Sequence, residues 1–114
     1  MAWVNLFGRD LIYAELTNAY LTYANLTSAN LTYADLTNAN LTNANLDYAN
    51  LANADLSHAD LDYANLSFAD LTNADLTNVD LTNANLTGVT WTGAYILNCI
   101  GCPCTDANND NYCD

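Results

Sequence analysis

The sequence of 114 residues contains no Lys and a single Arg, Arg9, against thirteen Asp and Glu, which leaves a formal net charge of −12. Direct binding of nucleic acid or of an anionic membrane surface depends on clustered Lys and Arg, so we expect neither. No apolar run approaches the roughly 18 to 20 residues of a membrane-spanning helix. Residues 1–10 also lack the basic and apolar segments of a signal peptide, so we expect no membrane insertion and no export signal here.

The sequence is instead dominated by a repeat of five residues. Leu occupies every fifth position from Leu6 to Leu86 without a break, and Trp91 and Ile96 continue the series. Ala usually stands two residues before each Leu, Asn or Asp usually stands between them, and the two residues that follow are polar or aromatic. A fixed period of this kind is typical of a solenoid.

A period of five residues fits neither regular secondary structure. On an α-helix, successive Leu residues would advance by about 500° and form no stripe. On a straight strand, alternate Leu residues would point to opposite faces. The pattern works if the chain turns a corner every five residues, because Ala and Leu then point inward from each short side. Four right-angle corners make a square coil of twenty residues, which predicts an all-β solenoid.

Runs such as residues 34–38 (Ala-Asp-Leu-Thr-Asn) and 39–43 (Ala-Asn-Leu-Thr-Asn) resemble those of the pentapeptide-repeat family. The resemblance covers about residues 4–98. It implies a right-handed quadrilateral β-helix of about 4.75 coils with terminal caps. We expect an N-terminal cap at 1–12, the β-helix at 13–98 and a Cys- and Asp-rich tail at 99–114. The inward core ladder of the middle coils is predicted to include Leu26, Leu46, Leu66, Leu51, Leu56 and Leu61.

Residues twenty apart should stack in columns on the four faces. One predicted column is acidic: Glu15, Asp35, Asp55 and Asp75, with Asp60 and Asp80 on the next face. Like charges at the strand spacing repel, so we predict raised carboxylate pKa values or bound cations there, or a basic partner protein. The alternative is a solvated acidic surface that favours solubility.

The repeat changes at both ends, where apolar residues become frequent. The candidate end contacts are Trp3, Phe7, Ile12, Trp91, Ile96 and Ile100. These residues are interpreted as end caps or as association surfaces, because an open terminal coil exposes unpaired backbone groups. The same end also carries Arg9, which stands on the inward line of Ala residues.

Cysteine is confined to the tail, at Cys99, Cys102, Cys104 and Cys113. Two disulfides are expected, and three connectivities are open. A zinc site is the rival interpretation because Cys99 and Cys102 have the spacing of metal ligands. Free thiols or intermolecular disulfides are the third.

The tail also places oxygen ligands at alternate positions, as EF-hand-like calcium loops do, with Tyr112 contributing its backbone carbonyl. The candidate ligands are Asp106, Asn108, Asp110, Tyr112 and Asp114. No other cofactor is expected. Compartment is left open: a chain that truly starts at Met1 would be cytoplasmic, whereas a fragment with a disulfide-bonded tail would be extracellular or on the cell surface.

No catalytic residues are predicted, because no nucleophile and base are brought together and flat faces offer no cleft. The first functional hypothesis is a structural or protein-interaction rod that forms dimers or stacks end to end into fibres. The alternative comes from the family resemblance. Some pentapeptide-repeat proteins of the quinolone-resistance type resemble duplex DNA and bind topoisomerase, which implies a DNA mimic that binds a DNA-handling enzyme.

Overall fold

The computed structural model describes residues 3–104 and 110–113. Within them the chain forms no helix, and each strand is a single bridging residue rather than an extended segment. Parallel bridges join residues exactly one coil of twenty apart, from Asn5 with Asn25 to Asp80 with Ile100. Asn5, one residue of the first bridge, lies in the segment 1–12 that the sequence predicts to be a cap. The architecture is a quadrilateral β-helix, and its principal extents are 40 × 24 × 24 Å.

The corners explain why five residues make one side. At each corner the N–H three residues after Leu donates to the Leu carbonyl, as from Ala29 to Leu26 at 3.0 Å. The residue before that donor has a positive φ, as at Tyr33 (60°) and Asn38 (57°). Asn tolerates this left-handed backbone well, whereas Tyr adopts it rarely. The repeat therefore imposes the conformation on whichever residue stands at the corner.

The Asn or Asp before each Leu supports the same turn. Its side-chain Oδ1 accepts the backbone N–H two residues later, from Thr37 to Asp35 at 2.9 Å and from Thr42 to Asn40 at 3.0 Å. Such Asx turns position the chain for a reversal. This local bond gives Asn and Asp a structural reason to occupy that position on every face.

Backbone hydrogen bonds connect each coil to the next. Leu26 donates to the Asn45 carbonyl at 2.7 Å, Ser28 donates to the Asp47 carbonyl at 2.9 Å, and Asn45 donates to the Ala24 carbonyl at 2.9 Å. Three bonds on each side hold the coils in register although no strand is longer than one bridging residue. The stack is therefore a ladder of short, regularly interrupted pairings.

The core is a thread of Leu and Ala inside the square coil. From Leu26 to Leu76 every Leu of the five-residue series is completely buried, and the Ala residues before them are at most 1% exposed. The six predicted core residues all lie in this thread: Leu26, Leu46, Leu51, Leu56, Leu61 and Leu66. At the N-terminal end, Leu6, Leu11 and Leu16 are only half-buried, and no described residues form a coil beneath them.

The C-terminal tail turns back onto the last coil. Tyr112 forms an antiparallel bridge with Tyr95, and the two rings lie 4.9 Å apart. Ile96 donates to the Asn111 carbonyl at 2.7 Å, and Cys113 donates to the Ala94 carbonyl at 2.8 Å. Residues 110–113 of the tail thereby cover the side of the last coil that contains Tyr95.

Candidate functional site

The surface of the rod, rather than a cavity, carries the candidate functional groups. The described residues enclose no pocket. In the same ranges, no three His, Cys, Asp or Glu side chains come together as metal ligands would. None of the described segments is a helix with the length and apolar character needed to cross a membrane. The candidate functional groups therefore lie on the faces and ends of the rod.

The acidic residues lie in the columns that the period predicts. Glu15 bridges to Asp35, Asp35 to Asp55, and Asp55 to Asp75. On the neighbouring face, Asp60 bridges to Asp80. Carboxylates at one strand spacing repel each other by about 1 kcal/mol in water. The columns form a regular strip of negative charge along the rod.

The expected rise in carboxylate pKa is wrong for Asp35 and Asp80. The side-chain hydroxyl of Thr37 and then its backbone N–H donate to Asp35, and these bonds lower the pKa of its carboxyl from 3.8 despite partial desolvation. Asp80 receives the same two bonds from Thr82, which lower its pKa in the same way. Donors from the turn stabilise the ionised form. The Asx turn thus opposes the repulsion between coils.

Amide side chains form shorter ladders at other positions. Asn65 donates to Asn45 Oδ1 at 3.2 Å, in the column of bridged residues 5, 25, 45, 65 and 85, all of which are Asn. At one corner, Asn98 donates to Asn78 Oδ1 at 3.1 Å, and Asn78 Nδ2 lies 3.4 Å from His58 Nε2. These bonds connect successive coils outside the core. His58 therefore has a side-chain partner in this ladder.

Exposed aromatic rings stack at other corners. Their ring centroids lie 5.0–5.3 Å apart, in the pairs Trp3–Tyr23, Tyr13–Tyr33 and Tyr48–Phe68. Stacked pairs of this kind contribute about 0.5–1.5 kcal/mol each. Tyr48 is 60% exposed and Phe68 is 50% exposed, so these pairs also present apolar surface.

No described residue covers the N-terminal coil. Trp3, Phe7 and Ile12 are exposed there, Trp3 by 70%. Asn5 and Asp10 use neither their backbone N–H nor their C=O in main-chain bonds to the described residues. Such an edge is a template for pairing with another chain. This end combines apolar surface with backbone groups that have no main-chain partner among the described residues.

The C-terminal end is partly closed. Trp91 and Ile96 are half-buried, whereas Ile100 is 57% exposed. The structure pairs Cys99 with Cys102 and Cys104 with Cys113, one of the three connectivities that the sequence left open. These pairs occupy the thiols that a zinc site would need.

Two of the five candidate calcium ligands lie in the described residues. Asp110 is exposed, and its Oδ1 accepts the backbone N–H of Tyr112 at 3.0 Å. Asp106, Asn108 and Asp114 lie outside the described residues. The disulfide pairs and the tail hairpin had no periodic signal in the sequence.

The protein-family model described as pentapeptide repeats (8 copies) matches this chain over residues 1–38, 24–62, 39–78 and 49–88. No curated protein is similar enough to match. Among solved structures, HetL of the cyanobacterium Nostoc sp. strain PCC 7120 is described as a pentapeptide repeat protein involved in regulating heterocyst differentiation. It is 35% identical with a TM-score of 0.77, over 86% of this chain and 48% of HetL.

A pentapeptide repeat protein of the Arabidopsis thaliana thylakoid lumen is 33% identical with a TM-score of 0.67, over 78% of this chain and 66% of its own. Another, from the cyanobacterium Cyanothece 51142, is 26% identical with a TM-score of 0.52, over 84% and 90%. The chain thus spans about half the length of HetL and just under two thirds of the Arabidopsis protein. The repeat, the twenty-residue bridging and these similarities together place the chain in the pentapeptide-repeat family, whose fold is the right-handed quadrilateral β-helix.

Proposed function

We propose that this chain is a non-enzymatic structural or protein-interaction module, a rigid β-helical rod of about 4.75 coils. The observation that carries the proposal is a completely filled core beneath flat faces with regularly spaced side chains. Catalysis requires converging groups in a concave site, whereas recognition by a solenoid uses its extended surface. The rod therefore acts by presenting contacts.

The specific form that we propose is end-to-end association of copies of this chain, as dimers or filaments. The N-terminal coil supports it, because its exposed Trp3, Phe7 and Ile12 lie near backbone groups without a main-chain partner among the described residues. A contact between unlike ends does not close on itself, so it propagates into filaments.

Light scattering and negative-stain microscopy over a range of protein concentrations test this association. Filaments or concentration-dependent oligomers are expected. A species that stays strictly monomeric at high concentration would contradict end-to-end association.

Arg9 provides a sharper test of the same contact. Its backbone is in register with Ala29, which is 1% exposed, so in a stack the Arg9 side chain would point toward the apolar thread at Val89 of the preceding copy. Burying an unpaired charge is costly. Arg9→Ala should lower the protein concentration at which filaments appear, and Thr42→Ala, on the outer face, is the control that should not. Unchanged assembly of the Arg9 variant would contradict the predicted register.

The acidic columns support a second candidate function, binding to a basic surface of a DNA-handling enzyme in place of DNA. The bridged column of Glu15, Asp35, Asp55 and Asp75 and the net charge of −12 favour it. Inhibition of gyrase supercoiling by the chain tests this function. Asp35→Asn combined with Asp55→Asn should weaken the inhibition, whereas no inhibition by the unmodified chain would overturn the hypothesis.

Calcium binding at the tail remains a third, narrower proposal, carried by the alternate Asp106, Asn108 and Asp110 of the sequence. Bound calcium stabilises a folded site by mass action. Melting temperature in calcium and in chelator should differ if the tail binds the ion. Identical melting would exclude a calcium-stabilised tail.

A further inference from the structure

The fourth side of the last coil departs from the repeat at its two inward positions. The parallel bridges keep the coils in register as far as Ile100. Cys99 therefore stands one coil after Val79, and Gly101 stands one coil after Leu81. In the coils beneath, the first of these columns holds Ala or Val and the second holds Leu. The last coil thus has glycine where the repeat has its large inward side chain.

Gly101 forms a turn that the repeat does not contain. Its φ is 81°, whereas the repeat has positive φ two residues after each Leu, as at Asn83. A Cβ at Gly101 would lie 3.1 Å from the Leu81 carbonyl oxygen, so the backbone approaches the coil beneath closely here. Pro103 stands at the next corner position, where its fixed φ near −65° excludes the corner conformation. The regular side therefore ends at Ile100 and a glycine turn follows it.

The Cys99–Cys102 disulfide closes this turn. It holds the two Cα atoms 5.8 Å apart, whereas three steps of extended strand would separate them by about 10 Å. The closed loop contains only Ile100 and Gly101, and all four residues lie in the described range 3–104. Closing a loop removes extended conformations from the unconstrained chain. The disulfide therefore favours the turn over an open chain end.

Ile100 lies inside the closed loop and joins this side to the coil beneath. Its N–H donates to the Val79 carbonyl and its carbonyl accepts the N–H of Leu81, both at 2.9 Å. Val79 is completely buried and Leu81 is 2% exposed, and both cysteines pack against the same core. The loop thus fastens the end of the β-helix to a fully buried part of the thread.

The disulfide lies where a reductant can reach it. Cys99 and Cys102 are half-buried, and Ile100, Gly101 and Pro103 around them are exposed. Thiol–disulfide exchange requires that an attacking thiolate reach one of the two sulfurs. Core residues such as Leu81 leave no comparable access. Reduction is therefore a change that this loop can undergo while the core beneath it remains folded.

We propose that the Cys99–Cys102 disulfide is a redox-sensitive clasp that fastens the last side of the β-helix. A dithiol reductant attacks one sulfur, forms a mixed disulfide and releases the other cysteine as a thiol. The second thiol of the reductant then displaces the remaining cysteine, so the protein gains two thiols and the reductant leaves as a disulfide. The opened loop releases Ile100 from Val79 and Leu81. This loosening requires no second copy of the chain, so it is independent of the proposed association.

The experiment uses the full chain in three forms: wild type, Cys99→Ser/Cys102→Ser and the matched control Cys104→Ser/Cys113→Ser. Each form is examined oxidised and after treatment with a dithiol. Mass spectrometry of alkylated peptides identifies which thiols are free, and circular dichroism verifies folding. Amide hydrogen exchange then reports the opening of individual backbone bonds.

Exchange at the Ile100 and Leu81 amides should become at least about tenfold faster when wild type or the control is reduced. The Cys99→Ser/Cys102→Ser variant should exchange fast at both amides without reductant, and reduction should add little. The Leu41 amide, which donates to the Asp60 carbonyl two coils away, is the internal reference and should not change.

Three results would overturn the clasp. The first is equal Ile100 exchange in oxidised and reduced wild type. The second is fast Ile100 exchange in the oxidised control, which would assign the fastening to the Cys104–Cys113 disulfide instead. The third is an equal acceleration at Leu41, which would mean that reduction unfolds the whole rod. Reduction of the wild type opens the loop without a substitution, so misfolding of a variant does not decide the result.

Discussion

The middle coils and the N-terminal coil share one repeat but differ in what the repeat achieves. Leu51 is completely buried, whereas Leu11, in the same column, is only half-buried. The two residues have the same corner turns and the same Asx bonds nearby. The difference is the coil beneath: the coil that contains Asn30 lies beneath Leu51, whereas no described coil lies beneath Leu11. A five-residue unit thus specifies one side of the square coil. Its Leu and Ala are buried only when coils are stacked on both sides of it.

The largest effect should come from cutting back the core. Leu51→Ala is expected to lower the free energy of unfolding by about 2–5 kcal/mol, because it leaves a cavity in a filled thread. Leu11→Ala should cost clearly less, since its side chain is already partly in water. Urea unfolding of both variants measures the difference. As a control, Thr42→Ala on the outer face should change the free energy of unfolding by no more than about 0.5 kcal/mol. Equal losses of stability in the two Leu variants would contradict the difference between the middle and N-terminal coils.

A smaller effect should distinguish glycines at corner positions near the two ends. Gly8 and Gly88 both have positive φ, at 62° and 69°. A Cβ at Gly8 would meet nothing within 4 Å, whereas one at Gly88 would lie 2.6 Å from the Phe68 ring. Gly8→Ala should cost about 1 kcal/mol for the backbone alone. Gly88→Ala should cost more, because the ring must move.

Thermal or urea unfolding of the two Ala variants tests this difference. Phe68→Ala combined with Gly88→Ala is the control, since removing the ring should reduce the extra cost of the Cβ. Equal destabilisation in the two single variants would show that the ring yields freely.

The smallest effect concerns protonation in the acidic column. The lowered pKa of Asp35 means that its contribution to stability is present above its ordinary value of 3.8 and is lost as pH falls through the lower folded value. An NMR titration of the Asp35 carboxyl should give a midpoint below 3.8. Thr37→Val removes the hydroxyl donor and should move that midpoint upward. A midpoint at or above 3.8 in the wild type would contradict the role of the Asx turn.

The sequence predicts the columns well because burial and register depend on a strict period. Glu15, Asp35, Asp55 and Asp75 follow one another at twenty residues, and the bridges join the same residues. The sign of the pKa change at Asp35 depends instead on donors two residues away, which the charge pattern alone does not reveal. The charge pattern predicts repulsion between coils, whereas the local hydrogen bonds to Asp35 follow from the geometry of the turn.

The corners and the tail show two other limits. Tyr33, Tyr63 and Phe68 adopt positive φ although their intrinsic preferences oppose it, so tertiary context overrides the local signal. The pairing of Tyr112 with Tyr95 involves a tail residue outside the repeat, so the five-residue period does not predict it. The sequence predicts two disulfides in the tail, but only the folded structure shows which cysteines pair.

The strict five-residue side also fixes how the molecule tolerates changes in length. Loss or duplication of twenty residues would leave every later side chain on its original face. Loss or duplication of five would keep Leu and Ala inside but rotate everything downstream by a quarter turn. Asp55 and Asp75 would then leave the column of Glu15 and Asp35, although the core would be intact. Changes in length by multiples of five residues would therefore keep the core while changing which surface residues share a face.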